Sequence, residues 1–207
     1  MPRKLCVIMM GDMARFSQLV EANEDNVLSR HAAHMAEVIA TAIAEENGRI
    51  VKTTGDGWVA EFAAARDAVR AAIDIQTAMQ TREAGQPGND RIEYRIGMNA
   101  GDVVDQGGDI FGDEVNVAAR LEAIAEPGGI CLSDALYQMA YKHFDAPLTD
   151  LGSQSIKNIA RPIRVWQWTP RADLTQQPKP DTAYTQRINF CESRAGTKLA
   201  YASIGQG

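Results

Sequence analysis

The sequence predicts an α+β domain whose sheet is built largely from hairpin-connected strands, and three observations lead to it. Two short β-like runs, Arg49–Thr53 and Trp58–Phe62, flank the turn Thr54-Gly55-Asp56-Gly57. A Gly-Asp-Gly turn between apolar runs signals a hairpin, because glycine takes positive φ without a Cβ clash. On either side the apolar residues recur at helical spacing: Met35, Val38, Ile39, Ala42 and Ile43 before it, Ala65, Ala68, Val69, Ala72 and Ile73 after it. Each set is one stripe facing a core. Strand-like runs at Lys4–Met10 and Arg91–Ala100 bracket these helices. The resulting order is β-α-β-β-α-β followed by further helices and strands, expected as a sandwich with one face of the sheet covered.

Taken in order, Lys4–Met10 reads as a buried strand ending at Gly11-Asp12. A helix is expected from Phe16 to about Glu46, ended by Gly48. The helix after the hairpin stops near the breakers Gly85-Gln86-Pro87-Gly88, and Gly101–Gly108 reads as a turn-rich return. Asp113–Ala125 is expected helical, Ile130–Leu132 a short strand, and Ser133-Asp134 the cap of a short helix. Strand-like runs follow around Lys142–Leu151 and Ile163–Trp168. Residues 1–168 therefore read as one domain. Residues 169–187, with Pro170, Pro178 and Pro180, have linker composition. Residues 188–207 turn strand-like again but cannot form a core alone, and are expected to open a second domain that has been cut away.

A length of 207 residues accommodates one good-sized domain and an extension. The net charge of −6, with no basic run, argues against a nucleic-acid surface. No apolar stretch approaches the roughly 18 residues that a membrane span needs. Cys6, Cys131 and Cys191 are odd in number, far apart and set among apolar neighbours. They are expected as reduced core residues of a cytoplasmic protein. His31 and His34 could share a helix face, but no third ligand is near, and both are expected to be solvated.

Two carboxylates stand out: Asp12 at a strand end and Asp56 at a hairpin tip. Taken singly, Asp12 reads equally as a helix cap, Asp56 as turn chemistry and Lys52 as a solvated strand residue. Together the acids suit hard divalent cations, which take carboxylates plus substrate phosphates. Two such ions roughly 3.5–4 Å apart can activate an attacking hydroxyl and neutralise a leaving phosphate. Downstream, Asn116 and Arg120 fall at i and i+4 on one helix face. An amide that can hold a sugar and a guanidinium that can clamp phosphoryl oxygens suit phosphoryl transfer, where positioning and charge do most of the catalysis.

Four stretches in order resemble the class III adenylyl (nucleotidyl) cyclase catalytic domain: Ile8–Asp12, Gly48–Gly57, Asp109–Leu121 and Ser155–Ile163, together covering about residues 4–168. The resemblance implies a ferredoxin-like βαββαβ core, a head-to-tail homodimer and conversion of ATP to 3′,5′-cyclic AMP and pyrophosphate. It implies that Asp12, Asp56 and the backbone carbonyl of Met13 hold two Mg²⁺ or Mn²⁺ ions. Lys52 and Asp109 match the base-selecting pair, Asn116 and Arg120 the transition-state pair, and Lys157 a triphosphate contact. Base selection has a chemical rationale, since Lys can donate to adenine N1 while Asp accepts from its N6 amine. In the family the metal acids and the transition-state residues come from different subunits. The sequence departs from the family pattern at Arg15, where a glycine is usual, and at Asn158 after Lys157. The tail from Arg187 is similar to the opening hairpin of α/β-hydrolase domains, with no Gly-x-Ser-x-Gly elbow in these residues.

Gly107-Gly108-Asp109-Ile110-Phe111 superficially matches a diguanylate cyclase signature, but Ile110 replaces its glutamate. Two other readings stand beside adenylate cyclase: a guanylate cyclase, and a catalytically silent cyclase-like module that binds nucleotide or dimerises to regulate an attached domain.

Overall fold

Strand β1 (Arg3–Met13) is the spine of the molecule. It pairs antiparallel with β3 (Gly57–Phe62) on one side and with β4 (Tyr94–Gln106) on the other. The computed structural model describes residues 2–144, 148–155 and 162–170, and the backbone of 185–192 and 198–205. Strand β2 (Arg49–Thr53) pairs with β3, and β5 (Asp109–Phe111) folds back on β4. Beyond β4 lie β6 (Ile130–Ser133), parallel to it, then β8 (Ile163–Trp168) and β7 (Thr149–Gln154), giving the order β2-β3-β1-β4-β6-β8-β7. The antiparallel quartet β2-β3-β1-β4 is the ferredoxin-like βαββαβ arrangement.

The helices are α1 (Phe16–His34), α2 (Ala40–Glu45), α3 (Ala65–Arg82), α4 (Asp113–Ile124) and α5 (Asp134–Ala140). Successive residues of a strand point to opposite faces, and β1 divides its side chains accordingly. Val7, Met9 and Met13 join Trp58, Phe62, Leu19, Ile43 and Val69 in the larger core. Cys6 and Ile8 pack with Val59, Val103, Ile110 and Ala118 of α4. Helices thus cover both faces of the sheet, where one covered face was expected. The second layer escapes a periodicity reading because α4 is short and only Val117, Ala118 and Leu121 of it are buried.

Four further expectations need correction. The first helix is not continuous: Asn23 leaves helical geometry, and a π-helical segment, Met35–Ile39, separates α1 from α2. Strand β4 does not end at Ala100 but runs to Gln106, and the turn is only Gly107-Gly108, both with positive φ. Glycine pairs of this kind match the twist of a two-residue hairpin. His31 and His34 are not solvated but 8% and 1% exposed, because their i, i+3 spacing turns both rings inward toward Tyr94. In the region where Lys142–Leu151 was expected to be a strand, Tyr141–His143 forms a 3₁₀ turn and β7 begins at Thr149.

Cys6 and Cys131 are free and buried, and burial pushes their thiols up to about 11 and about 12, which leaves them unreactive at neutral pH. Ser133 caps α5 as expected, its Oγ accepting from the Leu136 N–H at 3.3 Å. By contacts the chain divides into Met1–Pro170 and Arg171–Gly207. In the second unit, β9 (Thr185–Glu192) and β10 (Lys198–Gly205) form an antiparallel hairpin.

Helix α4 lies directly on the backbone of β4. A Cβ at Gly97 would sit 2.0 Å from Glu122 N and 2.3 Å from Ala118 O, and backbone atoms cannot swing aside as a side chain could. Gly97→Ala is expected to lower unfolding free energy by about 3 kcal/mol, the upper part of the usual overpacking range, measured by urea denaturation. Unchanged stability would show that α4 is free to lift from the sheet.

Candidate active site

Strand register delivers Asp12. It lies opposite Gly57 of β3 and Arg95 of β4. By the period of two it shares the α4 face with Cys6 and Ile8. The β2–β3 turn then brings in Asp56. Met13 N–H donates to the Asp56 carbonyl at 3.1 Å, tying the turn to the end of β1, and Thr54 N–H donates to Gly57 O at 2.9 Å within it. Glycine is required at 57, where a Cβ would lie 2.4 Å from Gly11 O and 3.3 Å from Asp12 Oδ1. The turn places the Asp56 carboxyl beside that of Asp12, near enough for its charge to act on it. Burial raises the Asp12 pKa above the usual carboxylate range, Arg95 opposes this, and the neighbouring Asp56 charge adds to it.

Arg95 was not singled out in the sequence. Its Nη2 donates to Asp12 Oδ2 at 2.8 Å, while its Nε lies 3.2 Å from Glu122 Oε1, an ion pair whose angle misses that of a hydrogen bond. The only signal available in advance was register: Arg95 is the β4 residue opposite Asp12. Burial pushes Glu122 up to about 7 even beside this guanidinium. Arg15, at the position where glycine is usual, adopts the left-handed backbone itself, with φ of 62°. Its side chain turns toward Glu93 Oε2 at 3.3 Å and Arg91 O at 3.4 Å.

A second pair forms on the β2–β5 side. Lys52 Nζ donates to both oxygens of Asp109, at 3.0 and 2.9 Å, and sits 5.5 Å from the centre of the Phe111 ring. Arg49 holds the two strands together, donating to Gly108 O at 2.8 Å and to Glu61. Lys52 holds the Asp109 carboxyl below the usual range. Asn116 and Arg120 are exposed on α4, and neither makes a side-chain hydrogen bond or ion pair among the described residues. The chain thus brings together Asp12 with Asp56 and Lys52 with Asp109, and leaves the α4 pair projecting outward. Lys157 and Asn158 lie outside the described residues.

A family model described as "Adenylate and Guanylate cyclase catalytic domain" matches residues 2–167. The chain belongs to this cyclase family. A Silicibacter pomeroyi structure described as an adenylate/guanylate cyclase/hydrolase is 55% identical, covers 83% of this chain and 100% of its own, and superposes with a TM-score of 0.78. A Rhizobium meliloti protein provisionally designated adenylate cyclase 3 is 37% identical over 176 residues, 85% of this chain and 30% of its own length. The adenylate cyclase of Streptomyces coelicolor is 30% identical over 140 residues, 68% of this chain and 35% of its own. The chain therefore spans about a third of the length of these two relatives, and what it shares with them is the cyclase catalytic domain. Its α+β fold is that of the family.

The acids of this cyclase domain fit a hard dication. Two partly buried carboxylates forced together, one with a raised pKa, are stabilised by divalent positive charge. Among the described residues no group of three or more His, Cys, Asp or Glu is assembled. A metal here would complete its shell with backbone and substrate oxygens. Also among the described residues, no helix is long and apolar enough to cross a membrane.

The Glu122 shift has a measurable consequence. A carboxyl whose folded pKa is raised binds its proton more tightly when folded, so its contribution to stability is present below the unfolded value near 4.5 and is lost as pH rises through about 7. Relative to Glu122→Gln, the unmodified chain is expected to lose stability steadily between pH 4.5 and 7. Parallel pH profiles of the melting temperature check this, and identical profiles would refute it.

Proposed function

We propose that this cyclase domain converts ATP to 3′,5′-cyclic AMP and pyrophosphate at sites shared between two copies of the chain. The observation that carries adenine over guanine is the Lys52–Asp109 pair, already aligned at 2.9–3.0 Å. In this reading a Lys N–H donates to adenine N1 while an Asp oxygen accepts from the N6 amine; guanine presents a donor at N1 and an acceptor at O6. The names of the Rhizobium and Streptomyces relatives support the same choice.

The ribose 3′-hydroxyl releases its proton to solvent as its oxygen attacks the α-phosphorus in line, the bond from that phosphorus to the bridging oxygen breaks, and pyrophosphate departs with that oxygen and the electron pair. Two Mg²⁺ or Mn²⁺ ions, held by Asp12, Asp56 and the Met13 carbonyl, would supply activation of the hydroxyl and charge neutralisation of the leaving group. Asn116 orients the ribose, Arg120 stabilises charge developing on the phosphoryl oxygens, and Lys157 contacts the triphosphate. That neither Asn116 nor Arg120 has a side-chain partner among the described residues supports their use by a substrate bound mainly to the second copy. A head-to-tail homodimer would then hold two sites.

We extend the reading to the rest of the chain. Residues 1–168 form the catalytic domain, 169–187 link it onward, and β9 and β10 open a second domain of the α/β-hydrolase type; the word hydrolase in the description of the Silicibacter protein supports this reading. Buried free thiols suit a reducing, cytoplasmic setting.

The test is an assay with ATP and with GTP, in Mg²⁺ and in Mn²⁺, reading cyclic nucleotide and pyrophosphate. Cyclic AMP rising faster than linearly with protein concentration is expected. Cyclic GMP as the main product would overturn the base assignment, and nucleotide binding without product would favour the silent module. Asp56→Ala is expected to abolish turnover and Arg120→Ala to cut it by about 10²-fold or more. Mixing the two variants is expected to restore activity, and a demonstrated mixed dimer without recovery would refute the shared site.

A further inference from the structure

The two buried histidines of α1 are unused by the mechanism, yet one of them touches the metal turn. His31 Nε2 lies 3.1 Å from the Gly55 carbonyl, the residue before Asp56, and its Nδ1 lies 2.8 Å from the Tyr94 hydroxyl. His34 Nδ1 lies 3.2 Å from the same hydroxyl. Hydrogen-bond roles follow from what each atom can do. A carbonyl only accepts, so His31 Nε2 carries the proton; burial lowers the His31 pKa, so the neutral ring has a lone pair on Nδ1. Tyr94 O–H must then donate to His31, and the Tyr94 oxygen accepts from His34 Nδ1–H. Glu83 Oε1 approaches His34 Nε2 at 3.3 Å, a contact and not a hydrogen bond, because burial keeps His34 neutral and its one proton is on Nδ1; Glu83 is held instead by Arg30 and by the Ile92 N–H at 2.9 Å. The ring of Tyr94 is fixed in turn by Trp58, edge-on at 5.3 Å.

We propose that His31 is a positioning residue for the metal site: through the Gly55 carbonyl it sets the turn that carries Asp56, with Tyr94 selecting the tautomer that can do so. The inference rests on the reading of Asp56 as a metal ligand. Three features of the chain make His31 suited to the task. Gly55 has φ of +87° and no atom within 4 Å of a would-be Cβ, so its own packing does not hold it. Among the described residues the turn's other ties are backbone bonds, Met13 N–H to Asp56 O and Thr54 N–H to Gly57 O. His31 is the side chain that grips the turn from the helical layer, and both its ring nitrogens are engaged within the core. The π-helical segment that begins immediately after His34 fits this assignment, since such insertions re-aim helix side chains and recur at functional sites.

The experiment compares His31→Leu, His31→Gln and Tyr94→Phe in the full chain. Mn²⁺ binding is titrated by electron paramagnetic resonance without nucleotide, and amide exchange is followed at Met13, whose N–H bonds Asp56, with Met9 in mid-strand as reference. His31→Leu is expected to weaken Mn²⁺ binding about tenfold, the lower end for loss of a supporting contact around a metal, and to speed Met13 exchange while leaving Met9 unchanged. His31→Gln, which keeps an N–H donor, is expected to restore both, and Tyr94→Phe to fall between. Wild-type Mn²⁺ affinity and Met13 exchange in His31→Leu would overturn the proposal, as would a His31→Gln variant no better than His31→Leu. Should His31→Leu fail to fold, unchanged values for both readouts in Tyr94→Phe would overturn it instead. If the unsubstituted chain binds no Mn²⁺, the metal reading of Asp12 and Asp56 falls, and Met13 exchange alone still decides whether His31 sets the turn.

Discussion

Everything at the candidate site depends on how closely the β2–β3 turn can approach the end of β1. Gly57 sits against the Gly11 carbonyl at a distance that no other residue allows, and Gly11 itself lies under the Trp58 ring. Two glycines one step apart on the β1–β3 ladder, Gly11 opposite Trp58 and Gly57 opposite Asp12, therefore bring two like-charged carboxylates together. That is electrostatically unfavourable for the chain alone, and the response is visible in Arg95, which pairs with Asp12, and in the upward shift of the Asp12 pKa. The site is built to need positive charge.

Arg95 links this pair to the opposite layer. It spans from Asp12 to Glu122 of α4, and the Glu122 carboxyl, buried and raised toward neutrality, answers it only in part. The guanidinium is therefore not locked to one acid. Under the proposed reaction, divalent charge or a phosphate arriving at Asp12 would leave Arg95 an alternative partner, Glu122, already in contact. On the other side of the hairpin, Lys52 and Asp109 satisfy each other in an exposed setting where the ion pair itself contributes little stability. Under the proposed base selection, their value lies in alignment.

The sequence made the sheet's central strands legible because alternation and turn glycines are local signals. The hairpin at Arg49–Phe62, the strand ending at Asp12 and the capped helix after Ser133 are all such cases. What it concealed depends on contacts between distant residues. The second covered face requires knowing that Gly97 admits α4. Arg95 is an ordinary strand arginine until register sets it opposite Asp12. His31 and His34 resemble solvated helix positions because their partner, Tyr94, is 60 or more residues away in sequence. The left-handed backbone at Arg15 was hidden for a different reason: residue type predicts glycine there, and the chain accepts the strain.

Strand β4 carries one further consequence. Its first half sets Arg95 beside Asp12, Gly97 against α4, and Asn99 where its amide donates to Glu114 Oε2 of α4 at 2.6 Å. Its second half carries β5 and hence Asp109 to Lys52. The proposed metal acids, the proposed base-reading pair and the helix bearing Asn116 and Arg120 are thus all referred to one strand. Within a copy these groups have little freedom to move relative to one another, since bistable change needs an interface that can repack and close backbone contact of this kind cannot. Under the shared-site proposal, the adjustable element is then the relation between two copies. A regulator of this domain would act on the dimer geometry, leaving the interior of each copy as it is.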